Sequence, residues 1–465
     1  MKKLLSLFVC VLVLLACCFA CEKGPEKVVE NGPITLNVVT EATEGPYGWD
    51  GRAFTGALYT VIGNFRVNHP DVKVDVEILP TDQNKRKIRL QKLRTDLMAG
   101  GGPDVFLLPS GSVIDTEKDV LRDPLFSDVE MAMKNLYFAD LSEYYDADED
   151  LKKEELQQDV MNAGVLDGAR YVLPMGFHMP VICYNPANLE QAGLTEEELR
   201  APLGEFLSAA LESGNVRTQS SATVYPNSML SLFQPLFDYE TERLLLDRET
   251  VDAICRQRKQ LSAASVDFQP LQGYTTGLSF YLTGFNFSLE KVDSYFIGNL
   301  YSAPELLGLG QVTGADVKVT PLRAVTGEVA AEVTYYGAVN ANCAHPEAAY
   351  KFLRGFLSAE VQHQTGIGSE STHLGGSDTA WPVRVAGSVQ TKWNARKYGE
   401  KGEEDEARRE AINEVHLSDE DMPFLFEKID LVQFRLPIAE RELWLNRPDA
   451  ADWIIEKLEY HIAES

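Results

Sequence analysis

Residues 34–108 alternate between two hydrophobic periodicities, and this alternation limits the fold more than any other feature of the sequence. Residues 34–39 form an apolar, β-branched run typical of a strand, and residues 72–78 alternate apolar and polar side chains as a half-buried strand does. Residues 104–108 read as a third, buried strand. Apolar side chains three and four residues apart predict a helix after each of the first two strands: Leu58, Val61, Ile62 and Phe65, then Leu90, Leu93 and Leu97. The order β-α-β-α-β predicts a mostly parallel sheet with helical crossovers.

The rest of the chain gives a mixed pattern. Strands are predicted at residues 171–174, 181–184 and 317–321, and helices at residues 196–214 and from Pro346 onward. Residues 397–421 are dense in Glu, Lys and Arg, which predicts a solvated helix and not a binding tract.

The charge of the chain excludes several classes of partner. Among its 465 residues, 43 Lys and Arg stand against 70 Asp and Glu, for a net charge of −27. Nucleic acids and anionic membrane surfaces both attract basic proteins, so neither is expected to bind the body of this one. Beyond the first twenty residues, no apolar run approaches the ~20 residues that span a bilayer, which excludes a polytopic transporter. At about 150 residues per domain, two or three domains are expected.

The N-terminus is predicted to be an export signal. Basic residues at Lys2 and Lys3 precede an apolar stretch over residues 4–16, which has the length of a signal-peptide core and is short for a membrane anchor. The stretch ends in Leu14-Leu15-Ala16-Cys17, which resembles a bacterial lipobox and implies a lipid on Cys17.

Cys21, in Cys18-Phe19-Ala20-Cys21, is the alternative lipid site, and a plain secretory signal with incidental cysteines is the alternative to both. Residues 1–16 are accordingly expected to be a lipoprotein signal peptide. Residues 17–33, which are mostly polar from Glu22 onward, are expected to form a lipid-anchored, flexible tether.

No catalytic, cofactor or metal motif is visible in the sequence. Cys183, Cys255 and Cys343 are too widely spaced for a disulfide framework or a zinc set, which favours inert thiols. The seven histidines show no metal-ligand spacing, and nucleophile-elbow, zinc-protease and phosphate-loop motifs are missing. We therefore expect no cofactor, no metal and no enzymatic activity. With 70 acidic residues, a carboxylate pair at glycosidase spacing arises by chance, so a lipid-anchored hydrolase is the least favoured alternative.

Several short motifs occur in a fixed order. Residues 92–100, followed by residues 102–106, join a helix end, a glycine turn and a Pro-Asp strand start. Further blocks lie at residues 138–145, 166–174, 183–185, 192–194, 336–353 and 381–384. Together these blocks resemble extracellular solute-binding protein family 1, the maltose-binding-protein-like substrate-binding lipoproteins of carbohydrate ABC importers. Residues 201–206 and 297–301 depart from the family pattern, which bears on the ligand and not on the fold.

The resemblance implies a two-lobed α/β fold of the type II periplasmic-binding-protein class. Each lobe would be a mixed, mostly parallel sheet flanked by helices, with the ligand cleft between the lobes. Lobe 1 is expected at residues 34–150 plus 333–358, and lobe 2 at residues 151–332 plus 359–465. Hinge closure would bury the ligand, and the closed form would be recognised by the permease.

Candidate ligand-binding residues follow from the chemistry of sugars, which have apolar ring faces and hydroxyl rims. Aromatic side chains stack on the faces, and carboxylates, amides and Arg bind the hydroxyls. Residues of these types follow predicted strands or lie in the motif blocks: Glu44, Tyr47, Trp49, Ser110, His178, Tyr301, Tyr335, Tyr336, Trp381 and Arg384. The alternative for each is a structural role, and Trp381 suits the core as well as the cleft.

The function implied by the resemblance is capture of a sugar or oligosaccharide outside a bacterial cell. The protein would be a monomer, anchored by its lipid to the outer face of the cytoplasmic membrane, delivering its ligand to ABC transporter permease subunits. A non-sugar solute, such as a peptide, a polyamine or a phosphodiester, is one alternative. A sensor subunit for a membrane kinase is another.

Overall fold

A computed structural model of the chain divides it into two units, Met1–Ile34 and Thr35–Ser465, and the second holds almost everything described below. The structure describes residues 33–41, 52–111, 113–115, 120–213, 226–264, 295–299, 303, 307, 311, 316–363, 381–387, 417–438 and 449–464.

Helices and strands alternate through the described ranges. The strands are β1 Ile34–Thr40, β2 Val72–Ile78, β3 Val105–Pro109, β4 Val113–Asp115, β5 Val120–Arg122, β6 Val165–Leu166, β7 Ala169–Arg170, β8 Val172–His178, β9 Pro180–Tyr184, β10 Phe237–Asp238, β11 Arg243–Leu244, β12 Tyr295–Asn299, β13 Lys318–Pro321, β14 Ala330–Val339, β15 Trp381–Pro382 and β16 Leu431–Phe434. The α-helices are α1 Arg52–Asn68, α2 Gln83–Met98, α3 Val129–Lys134, α4 Ser142–Ala147, α5 Gln158–Asn162, α6 Pro186–Ala192, α7 Glu196–Leu199, α8 Leu203–Ser213, α9 Arg248–Ala264, α10 Pro346–Arg354, α11 Ala359–His363 and α12 Ala450–Glu464. Short 3₁₀-helices span Lys153–Glu155, Pro226–Phe233, Gly355–Leu357, Asp419–Asp421 and Pro423–Phe426.

A seven-stranded sheet forms the centre of the fold. Its order is β15-β8-β14-β3-β1-β2, and β16 pairs with the first half of β14. β1 and β3 are parallel, whereas β14 runs antiparallel to both β3 and β8. Every residue of β8 and β14 is buried, so these two strands lie at the heart of the core.

A second sheet has three strands in the order β12-β9-β13. Both of its pairings are antiparallel, whereas mostly parallel strands were expected from the sequence. Its central strand β9 begins two residues after the end of β8, and β13 is followed by β14 after a short connection. The chain thus passes between the two sheets at Met179 and again over residues 322–329.

The predicted order of the first five elements is confirmed. Each predicted strand and helix of residues 34–108 occurs within a few residues of its expected bounds. The carboxylate of Asp82 caps α2 by accepting the Lys85 N–H at 3.0 Å. Beyond α2, Gly100 adopts a positive φ of 80°, which a glycine tolerates and which ends the helix.

The single helix predicted at residues 196–214 is wrong, because α7 and α8 replace it. Thr195 opens α7 with a capping box to Glu198, and α7 ends at Leu199. Pro202 then stands immediately before α8; it has no N–H to donate, and it disfavours helical geometry in the residue before it. The expected charged helix at residues 397–421 lies largely outside the described residues, and its end, Asp419–Asp421, is a 3₁₀-helix.

Aromatic side chains fill the core around the large sheet. Phe126 packs edge-on against Phe106 and Phe138, with ring centroids 5.1 and 5.0 Å apart. The close packing of α10 onto β14 depends on Gly337, because a Cβ there would stand 2.5 Å from Met175 Cε and 2.7 Å from Leu353 Cδ2.

The three body cysteines are free thiols. Cys183 and Cys343 are buried and Cys255 is half-buried. Burial raises the pKa of Cys183, and it raises the pKa of Cys255 to about 11, which keeps both protonated and unreactive near neutral pH. No helix in the described part of the chain is long and apolar enough to cross a membrane. No metal-binding group of three His, Cys, Asp or Glu side chains occurs among the described residues.

Candidate functional site at the carboxyl edge of the large sheet

Three strands of the large sheet end at the same edge. β1 runs parallel to β3, and β3 and β8 are both antiparallel to β14, so all three point the same way. Glu41 follows β1, Ser110 follows β3, and His178 ends β8. In α/β sheets, ligands bind at the carboxyl ends of strands, which makes this edge the first place to look for a site.

Three polar side chains form a row across this edge. Glu332 on β14 is the register partner of His178 on β8 and of Gln433 on β16. Register partners point to the same face of a sheet, so the three side chains lie side by side. We call His178, Glu332, Gln433 and the nearby Thr334 the polar row. His178 and Glu332 are fully buried, and Thr334 is 2% exposed.

The polar row has unused hydrogen-bonding capacity. Within the described part of the chain, no partner lies within hydrogen-bond distance of either ring nitrogen of His178 or either carboxyl oxygen of Glu332. The same holds for Thr334 Oγ1 and Gln433 Nε2, although the Gln433 amide is close enough to Glu332 to lower its pKa. Buried polar atoms are normally paired, because an unpaired one costs about 1–3 kcal/mol. So many unpaired atoms at one place are typical of a site that binds something.

Burial and one nearby cation set the charges of the polar row. Arg435 Nε lies 3.8 Å from Glu332 Oε2. Burial raises the pKa of Glu332 to about 7, and the Arg435 charge and the Gln433 amide oppose that shift. Burial, together with the Arg435 charge, lowers the pKa of His178 to about 3. The imidazole is therefore neutral at physiological pH, while the carboxyl group titrates close to it.

A buried ion pair between Arg86 and Glu41 lies at the end of β1, at the same edge of the sheet. Arg86 donates to both carboxylate oxygens of Glu41, at 2.6 and 2.9 Å, and to the carbonyl oxygens of Asp123 and Pro80. Burial raises the pKa of Glu41, while Arg86 and the nearby Arg122 oppose the rise. Because Arg86 binds both oxygens, this pair holds the end of β1 against α2.

Ser110 lies at the predicted edge, but its polar atoms bind the protein backbone. Its hydroxyl donates to the carbonyl oxygen of Val333, and its N–H donates to the carbonyl oxygen of Thr334 at 2.9 Å. Ser110 therefore joins β3 to β14 beside the polar row, and its ligand contact stays a prediction.

The two predicted tyrosines have different surroundings. Tyr336 is 1% exposed and packs against Phe434 and Phe138, with ring centroids 5.9 and 6.4 Å apart. Tyr335 is 6% exposed and lies within the electrostatic reach of Arg435 and Glu41, while burial raises its pKa. Tyr335 is therefore the better placed of the two for the site, and Tyr336 belongs to the aromatic core.

Trp381 and Arg384 flank the other side of β8. Trp381, on β15, is 5% exposed and is the register partner of Phe177 on β8. Its Nε1 has no hydrogen-bond partner among the described residues. Arg384 is 3% exposed; it donates to the carbonyl oxygens of Leu357 and Leu151, at 2.9 and 2.8 Å, and forms an ion pair with Glu155. These contacts join segments of the protein, so a ligand role for Arg384 stays a prediction without support from the geometry.

The remaining candidates lie outside the described residues: Glu44, Tyr47, Trp49 and Tyr301, and the lipidation candidates Cys17 and Cys21. Of the four residues in the polar row, the sequence predicts a binding role for His178 alone. One signal was present in the sequence. Glu332 is a lone charge within the apolar run of residues 329–333, which is unusual for a buried strand.

Comparison with known proteins identifies the family. The model of the family described as "Bacterial extracellular solute-binding protein" matches residues 51–363, which is more than half of the chain. A search of curated proteins gives no match.

Two solved structures show the fold. One is an extracellular solute-binding protein family 1 member from Alicyclobacillus acidocaldarius, with a TM-score of 0.52 and 13% identity over 94% of this chain and 97% of that one. The other is the galacto-N-biose-/lacto-N-biose I-binding protein of the ABC transporter from Bifidobacterium longum, with a TM-score of 0.50 and 14% identity over 94% of this chain and 98% of that one. The fold class predicted from the sequence, a two-lobed α/β periplasmic-binding-protein-like fold, is confirmed. So is the family resemblance: this chain belongs to the bacterial extracellular solute-binding proteins.

Proposed function

We propose that the protein captures a carbohydrate outside the cell and delivers it to an ABC transporter permease. The observation that carries this proposal is the polar row at the carboxyl edge of the large sheet, whose side chains are buried or half-buried and whose polar atoms are largely unpaired within the described residues. Within this family of binding proteins, such a set is best explained as part of a ligand site. The structural relative from B. longum was solved in complex with lacto-N-biose, which supports a sugar as the class of ligand.

The two passages between the sheets support binding by hinge closure. His178 ends β8 directly before the passage at Met179, and Glu332 lies in β14 just after the passage at residues 322–329. A ligand bound at the polar row would lie beside both passages, so a hinge motion there could enclose it. We place the lobe boundaries at these passages, and not at residues 150 and 332, because β8, β15 and β16 all pair within the large sheet.

The N-terminal residues support an anchored form of this receptor. We propose that residues 1–16 are removed, that Cys17 carries the lipid, with Cys21 as the alternative, and that residues 17–33 tether a monomer to the outer face of the membrane. The permease would then find its binding protein at high local concentration.

The charges of the polar row favour binding over catalysis. A glycoside hydrolase needs two groups, an acid and a base, tuned near the working pH. Glu332, with a pKa of about 7, suits one of these roles, but the polar row contains no second carboxyl group. His178, with a pKa of about 3, is too weak a base for that task. Arg384 is another charged candidate site residue. Its guanidinium group is already bound to the Glu155 carboxylate and to backbone carbonyl oxygens.

A thermal-shift screen of the chain from Glu22 onward tests the proposal. The panel holds mono- and oligosaccharides, amino acids, peptides and polyamines. A ligand at 100 times its Kd stabilises the folded state by about 2.7 kcal/mol, which raises Tm by some degrees. We expect the shift to be confined to one sugar family. A shift with a peptide or a polyamine, and none with any sugar, would overturn the carbohydrate assignment and keep the binding role.

A further inference from the structure

The polar row offers a mixture of donors and acceptors. A neutral imidazole has one N–H donor and one acceptor nitrogen, a carboxylate has only acceptors, and an amide nitrogen has only donors. His178 supplies one donor and one acceptor, Glu332 supplies acceptors, and the Gln433 amide nitrogen supplies donors. The Thr334 hydroxyl can both donate and accept. A solute hydroxyl is also a donor and an acceptor at once. The set therefore matches adjacent hydroxyl groups better than it matches a group that only donates or only accepts.

The charge around the polar row disfavours an ionic ligand. Glu332 is buried beside its register partner Gln433, and the Nε of the cation Arg435 lies 3.8 Å from the Glu332 carboxylate. An anionic ligand would bring a second negative charge beside the Glu332 carboxylate. A cationic ligand would meet Arg435 at the same place. An uncharged ligand creates neither conflict.

We propose that His178, Glu332, Thr334 and Gln433 form a subsite that binds uncharged hydroxyl groups of the solute and rejects acidic sugars. This inference rests on the proposed function and narrows its ligand class to neutral carbohydrates. Glu332 is the specificity-determining residue, because its carboxylate both accepts from hydroxyls and repels a uronate carboxylate. The other three residues contribute hydrogen bonds. All four are on strands of one sheet, and the strand register fixes His178, Glu332 and Gln433 relative to one another.

Matched sugar pairs test this inference directly. Binding is measured by isothermal titration calorimetry with glucose and glucuronate, galactose and galacturonate, and the corresponding neutral and acidic disaccharides. At pH 8, where Glu332 is mostly ionised, we expect the neutral member of the bound pair to bind about tenfold more tightly or better.

Two variants and one control measure what Glu332 and Thr334 contribute to sugar affinity and to the preference for the neutral sugar. Glu332→Gln keeps the size of the side chain and removes the charge, so we expect the preference for the neutral sugar to narrow about tenfold. Thr334→Val keeps the shape and removes the hydroxyl, so both sugars of a pair should bind about tenfold more weakly. Glu347→Gln is the matched control, since Glu347 is an exposed carboxylate on α10 that pairs with Lys351. It should bind as the wild type does.

The outcomes distinguish this inference from the proposed function. If neutral sugars bind, but Glu332→Gln keeps the wild-type preference or Thr334→Val keeps the wild-type affinity, the subsite is overturned and the sugar-binding function stands. Tighter wild-type binding of an acidic sugar would also overturn the subsite alone. If no sugar binds but another solute does, the carbohydrate assignment fails, and the subsite fails with it. Should Glu332→Gln not melt cooperatively, the Thr334→Val result decides.

Discussion

Arg86 holds Glu41 in a buried two-point ion pair, with Nη1–Oε1 and Nη2–Oε2 distances of 2.6 and 2.9 Å. Both side chains are nearly inaccessible, at 2% and 3% exposure. Burying two charges costs much of what their attraction returns, so the pair adds little net stability over apolar residues. Losing one partner is different, because the other charge is then left buried without compensation.

Replacing Arg86 is therefore expected to destabilise the protein strongly. Arg86→Met should lower the free energy of unfolding by about 3–5 kcal/mol, measured by urea denaturation. The matched control is Arg89→Met on the same helix, because Arg89 pairs with Glu77 where the side chains are 26% and 41% exposed. That change should cost about 1 kcal/mol or less. Equal effects of the two substitutions would contradict the role assigned to burial.

Asp128 performs two tasks, and its removal should cost more than the loss of a helix cap. It caps α3 by accepting the Met131 N–H at 2.9 Å, accepts from Tyr239 at 3.0 Å, and lies 3.1 Å from His461 Nε2 on α12. Asp128→Ala should cost about 2–4 kcal/mol, because the hydroxyl of the half-buried Tyr239 also loses its partner.

Asp82 provides the control for the cap alone. Its carboxylate caps α2 through the Lys85 N–H in the same way, but it is exposed and, within the described residues, hydrogen-bonds to no other helix. Asp82→Ala should cost about 1 kcal/mol in the same urea titration. The explanation for Asp128 fails if both variants lose the same stability, or if Tyr239→Phe costs nothing.

Glu130 should make stability depend on pH. Burial and the charge of Asp128 raise its pKa to about 8, although the Phe434 N–H opposes the rise. When the pKa of a carboxyl group is higher in the folded than in the unfolded state, its contribution to stability is fully present at pH values below the unfolded-state pKa, here near 4.5. That contribution is lost as the pH rises through the folded-state pKa, here about 8. Glu130→Gln cannot ionise, so it should gain stability relative to the wild type between pH 5 and 8, by up to about 1.4 kcal/mol per pH unit.

Urea titrations at pH 5, 6.5 and 8 measure this difference. The control is Glu143→Gln, an exposed carboxylate in the first turn of α4. Its difference from the wild type should stay nearly constant across the three values. A flat profile for Glu130→Gln as well would show that Glu130 ionises normally in the folded protein.

Two glycine-to-alanine changes are expected to act in opposite directions. Gly337→Ala puts a methyl group 2.5 Å from Met175 Cε and should destabilise the protein by about 1–3 kcal/mol through overpacking. Gly63→Ala, inside α1, meets no atom within 4 Å and should stabilise the protein by about 0.5–1 kcal/mol. Differential scanning calorimetry should show Tm falling for the first variant and rising for the second. The close packing of α10 on β14 is contradicted if Gly337→Ala leaves Tm unchanged.

The sequence predicts local structure well where a single periodicity runs through an element. The strands and helices of residues 34–108 each carry such a pattern and were located within a few residues. The break between α7 and α8 was missed although Pro202 was visible, because the apolar spacing on both sides suits one continuous helix.

The candidate site was harder to predict, because it is created by strand register. His178, Glu332 and Gln433 are far apart in the chain and become neighbours only through the pairing of β8, β14 and β16. No local pattern encodes that pairing. His178 was selected from a family resemblance, whereas Glu332 could have been selected only by asking why one charge interrupts an apolar strand.

The position of β14 has a consequence for how the protein is made. This strand lies between β3 and β8 in the sheet, yet it follows them both in the chain, and β16 pairs with it from later still. During synthesis, β3 and β8 emerge long before the strand that joins them. A nascent chain that ends before residue 330 therefore lacks the centre of its main sheet. We therefore expect the main sheet to assemble only late in translation, so that a chain exported during its synthesis would cross the membrane before this sheet is complete.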